Sequence, residues 1–314
     1  MKIRVRASVF LAGLPLLLLP LLVACRSGPV REMPPSERQS QTGQVLRIGA
    51  IPDQKPEKLN RLYPLVADEL SGQLGVKVKY VPVVDYTAAV SAFRTGDLDL
   101  VWFGGLTGVQ ARLQTPGARV LAQRDIDADF HSIFIANPAS GLKPFDSIEG
   151  LRELKGRRFT FGSENSTSGR LMPQFFLAKA GVKPSDFRGG APGFSTSHDA
   201  TIALVQSGAY EAGAVNEQVW LTSLHEGKAD PAKVIALWRS PAYPDYHWIA
   251  RPELDARFGA GFTDRLRKAI LSWTPQDSGQ GQILELFGAQ RFTDADAGSY
   301  ASIEQVGRQI GKIR

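Results

Sequence analysis

The chain is poor in the residues that build metal, redox and nucleophilic chemistry. Its 314 residues include 1 cysteine, 4 histidines and 3 methionines. A lone cysteine excludes an intramolecular disulfide, and it excludes the Cys-x-x-Cys spacing of zinc sites and thiol redox motifs. His-Glu-x-x-His, the phosphate-binding Gly-x-x-x-x-Gly-Lys-Ser/Thr loop and the Gly-x-Ser-x-Gly nucleophile elbow are all missing from the sequence. Asp125, Asp127 and Asp129 alternate, but the glycine and glutamate that a calcium loop needs at its sixth and twelfth positions do not follow. Charge of one sign is also scarce: 37 Lys and Arg stand against 31 Asp and Glu, a net +6. With no basic run interleaved with aromatics, nucleic acid is excluded as a partner, while a small anion would meet no opposing field. No cofactor and no catalytic residue is expected.

Long apolar runs are absent except at the start. Lys2, Arg4 and Arg6 precede an apolar stretch from Val9 to Val23, and Leu22-Val23-Ala24 leads into Cys25. This is the layout of a secretory signal, too short for a membrane span and interrupted by Pro15 and Pro20. We read residues 1–24 as signal peptide. The pattern resembles the bacterial lipobox, which implies a lipid on Cys25 and attachment to a membrane on its periplasmic or cell-surface side; a cleaved signal with a chance cysteine is the plainer alternative. Residues 25–44, rich in Pro, Ser, Gln and Arg, read as lipid anchor and flexible tether.

From Val45 onward, short apolar strands alternate with helices. Val45–Ile51, Val76–Tyr80, Leu98–Phe103, Arg119–Gln123, His131–Ala136, Arg157–Phe161, Ala212–Val215, Val234–Trp238 and Tyr246–Ala250 read as strands. Helical spacing follows several of them, as in Leu59, Leu62, Tyr63, Val66 and Leu70, and residues 252–313 read as helical segments. Alternation of this kind gives an α/β protein with mostly parallel sheets. Its length suits two lobes with a ligand cleft between them. We assign 45–136 plus 241–314 to the first lobe and 137–240 to the second.

The densest polar signal is Gly162-Ser163-Glu164-Asn165-Ser166-Thr167-Ser168-Gly169, which leaves a strand and opens a helix. Hydroxyls beside the unpaired N–H groups of a helix start can hold an anion without a formal cation. Plain N-capping accounts for one such hydroxyl, not three. Gly193-Phe194-Ser195-Thr196-Ser197-His198-Asp199 has a similar build, and His198 could donate to an anion and gain charge beside it; a histidine that merely starts a helix is the bland reading. In the first lobe Tyr86 follows Asp85 at a helix start. Trp102-Phe103-Gly104-Gly105 ends a strand, where Phe103 could wall a pocket or simply be core.

The succession V-L-R-I-G-A-I-P, D-Y, D-L-V-W-F-G, N-S-T-S-G-R-L-M-P and S-H-D-A resembles the periplasmic phosphonate-binding proteins of ABC importers, over nearly all of residues 45–250. The resemblance implies a two-lobed class II binding-protein fold that captures a small tetrahedral oxyanion and delivers it to an inner-membrane permease, working as a monomer. It also implies that Ser166, Thr167, Ser168 and His198 hold the oxyanion, with Tyr86 from the Asp-Tyr pair. Members that bind aminoalkyl phosphonates place a tyrosine where this chain has Phe103, so one hydroxyl is missing. Acidic residues for an amine would fall near Glu217 and Asp245. A variant with the same D-L-V-W-F-G-G-L-T-G run is labelled a selenate binder, so phosphonate, phosphite and selenate all stand as candidates. Two other functions remain on the sequence alone. One is an exported hydrolase with Ser166 or Ser168 as nucleophile and His198 as base; the other is a lipid-anchored sensor using the same cleft.

Overall fold

The computed structural model describes residues 44–314. Cys25, the signal segment and the tether up to residue 43 lie outside the described residues. The chain forms two mixed sheets. The first is six-stranded, in the order β11-β4-β10-β3-β1-β2, built from β1 (Val45–Ala50), β2 (Lys77–Tyr80), β3 (Leu100–Phe103), β4 (Arg119–Arg124), β10 (His247–Ala250) and β11 (Phe292–Thr293). The second is five-stranded, in the order β7-β6-β8-β5-β9, built from β5 (Ser132–Ala136), β6 (Phe159–Phe161), β7 (Gly193–Phe194), β8 (Ala212–Asn216) and β9 (Ile235–Arg239).

Helices cover the sheets. Around the first sheet lie α1 (Pro56–Leu74), α2 (Tyr86–Thr95) and α3 (Gly105–Gln114). Around the second lie α4 (Met172–Lys179), α5 (His198–Gln206) and α6 (Glu217–His225). The chain ends with α7 (Leu254–Phe258), α8 (Phe262–Leu271), α9 (Ser278–Phe287) and α10 (Ala301–Gln309) back on the first sheet. Local chemistry sets the boundaries. Asp85 accepts from Ala88 N to cap α2, which ends at Gly96 with φ 82°. Ser197 caps α5 through Ala200 N. The inner strands β3, β5, β6, β8 and β10 are buried throughout on both faces, as strands sandwiched between helices must be.

Strand direction places the site. β1 is parallel to β2 and β3, and β6 is parallel to β7 and β8. β10 is antiparallel to β3 and β4, and β5 is antiparallel to β8 and β9. β5 and β10 are the strands that follow each passage between sheets. They start where their neighbours end, so the starts of β5 and β10 meet the carboxyl ends of β1, β3, β6 and β8 at one cleft. The passages are tied together: Phe130 and Tyr243 form an antiparallel bridge, and Asp245 N donates to Asp127 O at 3.0 Å.

Two expectations need correction. Ser132–Ala136 belongs to the second sheet rather than the first lobe, so the strands change sheet between Arg124 and Ser132, earlier than residue 136. Its run of buried apolar residues would suit either sheet, and only the pairing with β8 and β9 decides. Residues 252–313 hold the expected helical segments but also one short strand, β11, which adds an antiparallel edge to β4.

Candidate functional site

Where β6 ends, Gly162 N donates to Gly169 O at 2.8 Å. A Cβ on Gly169 would lie 2.9 Å from Ser166 Oγ and 3.1 Å from His198 Cε1, so glycine is what lets the hydroxyl run approach His198. The helix opens with a π-helical turn, Thr167–Leu171, rather than the α-helix expected from Thr167 onward, and α4 follows it. Such turns cluster at functional sites because they redirect side chains and backbone N–H groups.

The three hydroxyls are buried and do different things. Ser166 is the cap, accepting from Gly169 N at 2.9 Å. Thr167 Oγ1 accepts from Leu106 N at 3.0 Å, a bond from the α3 start to the second lobe. Ser168 Oγ has no protein partner. Capping therefore accounts for Ser166 alone, while the hydroxyls of Thr167 and Ser168 lie beside the Asp245 carboxyl.

His198 is 1% exposed. Its backbone N–H donates across the cleft to Asp53 O at 3.0 Å. Asn216 N donates to its Nδ1 at 3.3 Å, which leaves the ring proton on Nε2, 3.4 Å from the Tyr246 hydroxyl. Burial lowers its pKa to about 3. The ring is thus a neutral donor, not the imidazolium that the sequence allowed.

The first sheet's side of the cleft supplies tyrosines and carboxyls. Tyr86 is buried at the start of α2, and its Oη has no protein partner. Tyr246 Oη accepts from Asn216 Nδ2 at 2.9 Å and lies beside the carboxyl of Asp53. Asp245 Oδ1 accepts from Gly105 N at 2.9 Å. Burial raises Asp53 to about 6 and Asp245 to about 7. Behind them Arg124 forms a buried ion pair with Asp127, its Nε 2.8 Å from Oδ2, and lies over the Tyr246 ring at 4.9 Å.

Phe103 is fully buried and packs edge-on against Phe93 of α2, 5.6 Å between ring centroids. The aromatic that stacks on Tyr246 is its neighbour Trp102, on the opposite face of β3, at 5.8 Å. The recorded packing thus ties Phe103 to the core. Glu217 is engaged at the surface with Arg239, Oε2 to Nη2 2.9 Å, whereas Asp245 joins the buried cluster. Sequence reasoning passed over Asp53, Asn216 and Tyr246. Asp53 and Asn216 lie at or just past the carboxyl ends of β1 and β8, and that placement is the signal that could have found them.

The cleft is closed. Besides the bonds already named, Lys55 N donates to Asp199 Oδ2 at 3.0 Å, Asn165 Nδ2 to Thr87 Oγ1 at 2.9 Å, and Lys312 Nζ lies 3.3 Å from Glu164 Oε2. At its mouth is a cavity of about 350 Å³ whose walls include Gln54, Asp85, Ser163 and Ser197.

A family model described as the periplasmic substrate-binding protein of phosphonate ABC transporters matches residues 48–300. The chain belongs to that family. A probable ABC transporter phosphite binding protein, PhnD1 of Prochlorococcus marinus, is 53% identical over 270 residues, covering 86% of this chain and 91% of the relative. The structure of Prochlorococcus PhnD1 in complex with methylphosphonate superposes with a TM-score of 0.84, covering 86% of this chain and 99% of that one. A phosphate-import protein, PhnD of Mycolicibacterium smegmatis, is 27% identical over 230 residues, 70% of each chain. The fold is therefore that of the two-lobed periplasmic binding proteins, and these relatives are substrate-binding components of importers, not enzymes.

Proposed function

We propose that this chain is a lipid-anchored receptor that captures phosphite or a small alkylphosphonate and presents it to an ABC permease. The observation that carries the ligand class is the set of buried hydroxyls at the cleft, Ser166, Thr167, Ser168 and Tyr86 beside neutral His198, in which Ser168 Oγ and Tyr86 Oη make no close hydrogen bond. Unpartnered buried hydroxyls cost about 1–3 kcal/mol each, so the arrangement favours a ligand that accepts from them. Fixed dipoles in a water-excluded cleft suit a small anion. The 53% identity to a phosphite-binding relative and the likeness to a methylphosphonate complex support the same class.

Glu217 is already paired with Arg239, which leaves one acid fewer for an amine and favours a ligand without one. Closure around the anion gives the permease a form to recognise, as binding shifts the population toward closed lobes. Cys25 would hold the receptor at the membrane and free it to work as a monomer. A thermal-shift screen of phosphite, methylphosphonate, 2-aminoethylphosphonate, phosphate, sulfate and selenate, followed by calorimetry, tests the reading. Phosphite or methylphosphonate should give the tightest complex, and preference for the aminoalkyl compound would refute it.

A further inference from the structure

Buried carboxylates elsewhere in the molecule are neutralised by arginine. Asp99, fully buried at the start of β3, receives Arg47 Nε at 3.2 Å and is also paired with Arg257. Asp127 is clamped by Arg124. Asp245 has no such partner. Its Oδ1 takes the Gly105 N–H, and among the described residues its Oδ2 is the inaccessible carboxylate oxygen without any hydrogen-bond partner. A carboxylate left unpaired in an anion site is costly unless a proton sits between it and the anion.

We propose that Asp245 and the bound oxyanion share one proton, making Asp245 a specificity-determining residue that favours phosphite and alkylphosphonates, which carry an ionisable hydrogen, over selenate and sulfate, which do not. The proposal rests on the oxyanion reading of the cleft. Near neutral pH the monoanion of a phosphonate brings the proton with it. Selenate brings none, so its complex must draw one from solvent onto Asp245. No bond to phosphorus or selenium is made or broken; one proton moves from ligand or solvent into the Asp245–oxyanion hydrogen bond.

The surroundings support this placement. The hydroxyls of Thr167 and Ser168 face the Asp245 carboxyl, and Asp127 behind it adds repulsion that Arg124 offsets. Tyr86, Tyr243, Tyr246 and Tyr300 feel its charge, and burial holds all four phenols protonated. His247 contacts Asp245 O through Nδ1 and is kept neutral by burial, as is His198. Burial raises Asp245 itself to about 7. Asp53 is the other carboxyl of the cleft, but the cations Arg124 and Lys58 face it, whereas none among the described residues is found beside Asp245. Lys58, whose pKa burial lowers, is the nearby cation that faces Asp53 and Asp199.

Selenate is the clean probe because it does not titrate near neutrality. Titration calorimetry of wild type, Asp245→Asn and Asp53→Asn at pH 6.5, 7.5 and 8.5, in buffers of different ionisation enthalpy, reads affinity and proton uptake together. In wild type, selenate affinity should fall about tenfold between pH 7.5 and 8.5, with close to one proton taken up on binding. Asp53→Asn should keep that slope. Asp245→Asn should lose slope and uptake and bind selenate more tightly than wild type at pH 8.5. Selenate binding by wild type without proton uptake, a slope retained in Asp245→Asn, or no gain for selenate in that variant overturns the proposal. If Asp245→Asn does not unfold cooperatively, proton uptake by wild type alone decides. Failure of wild type to bind phosphite and methylphosphonate at every pH overturns the oxyanion reading, and the proposal with it. Binding of both beside a pH-independent selenate affinity overturns the proposal alone.

Discussion

The two walls of the cleft are built from opposite materials. The second sheet contributes neutral donors: Ser166, Thr167 and Ser168 on a π-helical turn, and His198 at the start of α5. The first sheet and its returning strand contribute acceptors and amphoteric groups: Asp53, Asp245, Tyr86 and Tyr246. One wall can attract an anion by dipoles alone, while the other registers which oxygens of that anion carry hydrogen. An anion site made from both can be strong without a formal cation, since Arg124 is spent on Asp127.

The largest effect should come from erasing the donor wall. Replacing Ser166, Thr167 and Ser168 together by Ala removes three bonds to a charged group, each about 1.5–3 kcal/mol, and each 1.4 kcal/mol is about tenfold. Calorimetry with methylphosphonate should show a loss of at least a thousandfold, with cooperative thermal unfolding kept. A loss under tenfold would place the anion elsewhere.

Next is the fit between the walls. A Cβ on Gly104 would lie 3.1 Å from Thr167 Oγ1 and 3.2 Å from Asp245 Oδ1, so Gly104→Ala holds the lobes apart. Affinity should fall about ten- to a hundredfold through faster dissociation, with little change in melting temperature of the ligand-free protein. Tyr86→Phe removes one unpartnered hydroxyl, with an expected loss of about tenfold in the same titration. The rim should matter least. Lys312→Ala breaks an exposed contact with Glu164 and should change affinity by no more than about threefold, an effect that added salt erases.

His198 sharpens the contrast through pH. Its folded pKa of about 3 lies below the ordinary histidine value, so the fold prefers the neutral ring. That contribution to stability is complete above about pH 6.5 and is lost as pH falls toward 3. Between pH 6.5 and 8.5 the ring does not titrate, so His198→Gln should weaken selenate binding while leaving its pH slope intact. Calorimetry across that range should give parallel lines for the variant and wild type.

Much of the donor wall was legible in the sequence because its chemistry is local. Three hydroxyls between glycines at a strand-to-helix junction announce themselves, and so do the capped starts of α2 and α5. The acceptor wall was not, because Asp53, Asn216 and Tyr246 are far apart in sequence and meet only where β1, β8 and β10 abut the cleft. Trp102 and Phe103 illustrate another limit. β3 is buried on both faces, so polarity does not tell which side chain faces Tyr246 and which faces Phe93. The placement of Ser132–Ala136 failed for the same reason, since an all-apolar strand carries no label for its sheet.

The claim that both walls grip one ligand only when the lobes close is tested most directly by solution X-ray scattering with and without methylphosphonate. The radius of gyration should shrink on saturation for wild type, and should not for the Ser166/Thr167/Ser168 triple variant at the same ligand concentration. A wild-type radius that stays constant while calorimetry reports tight binding would contradict the account.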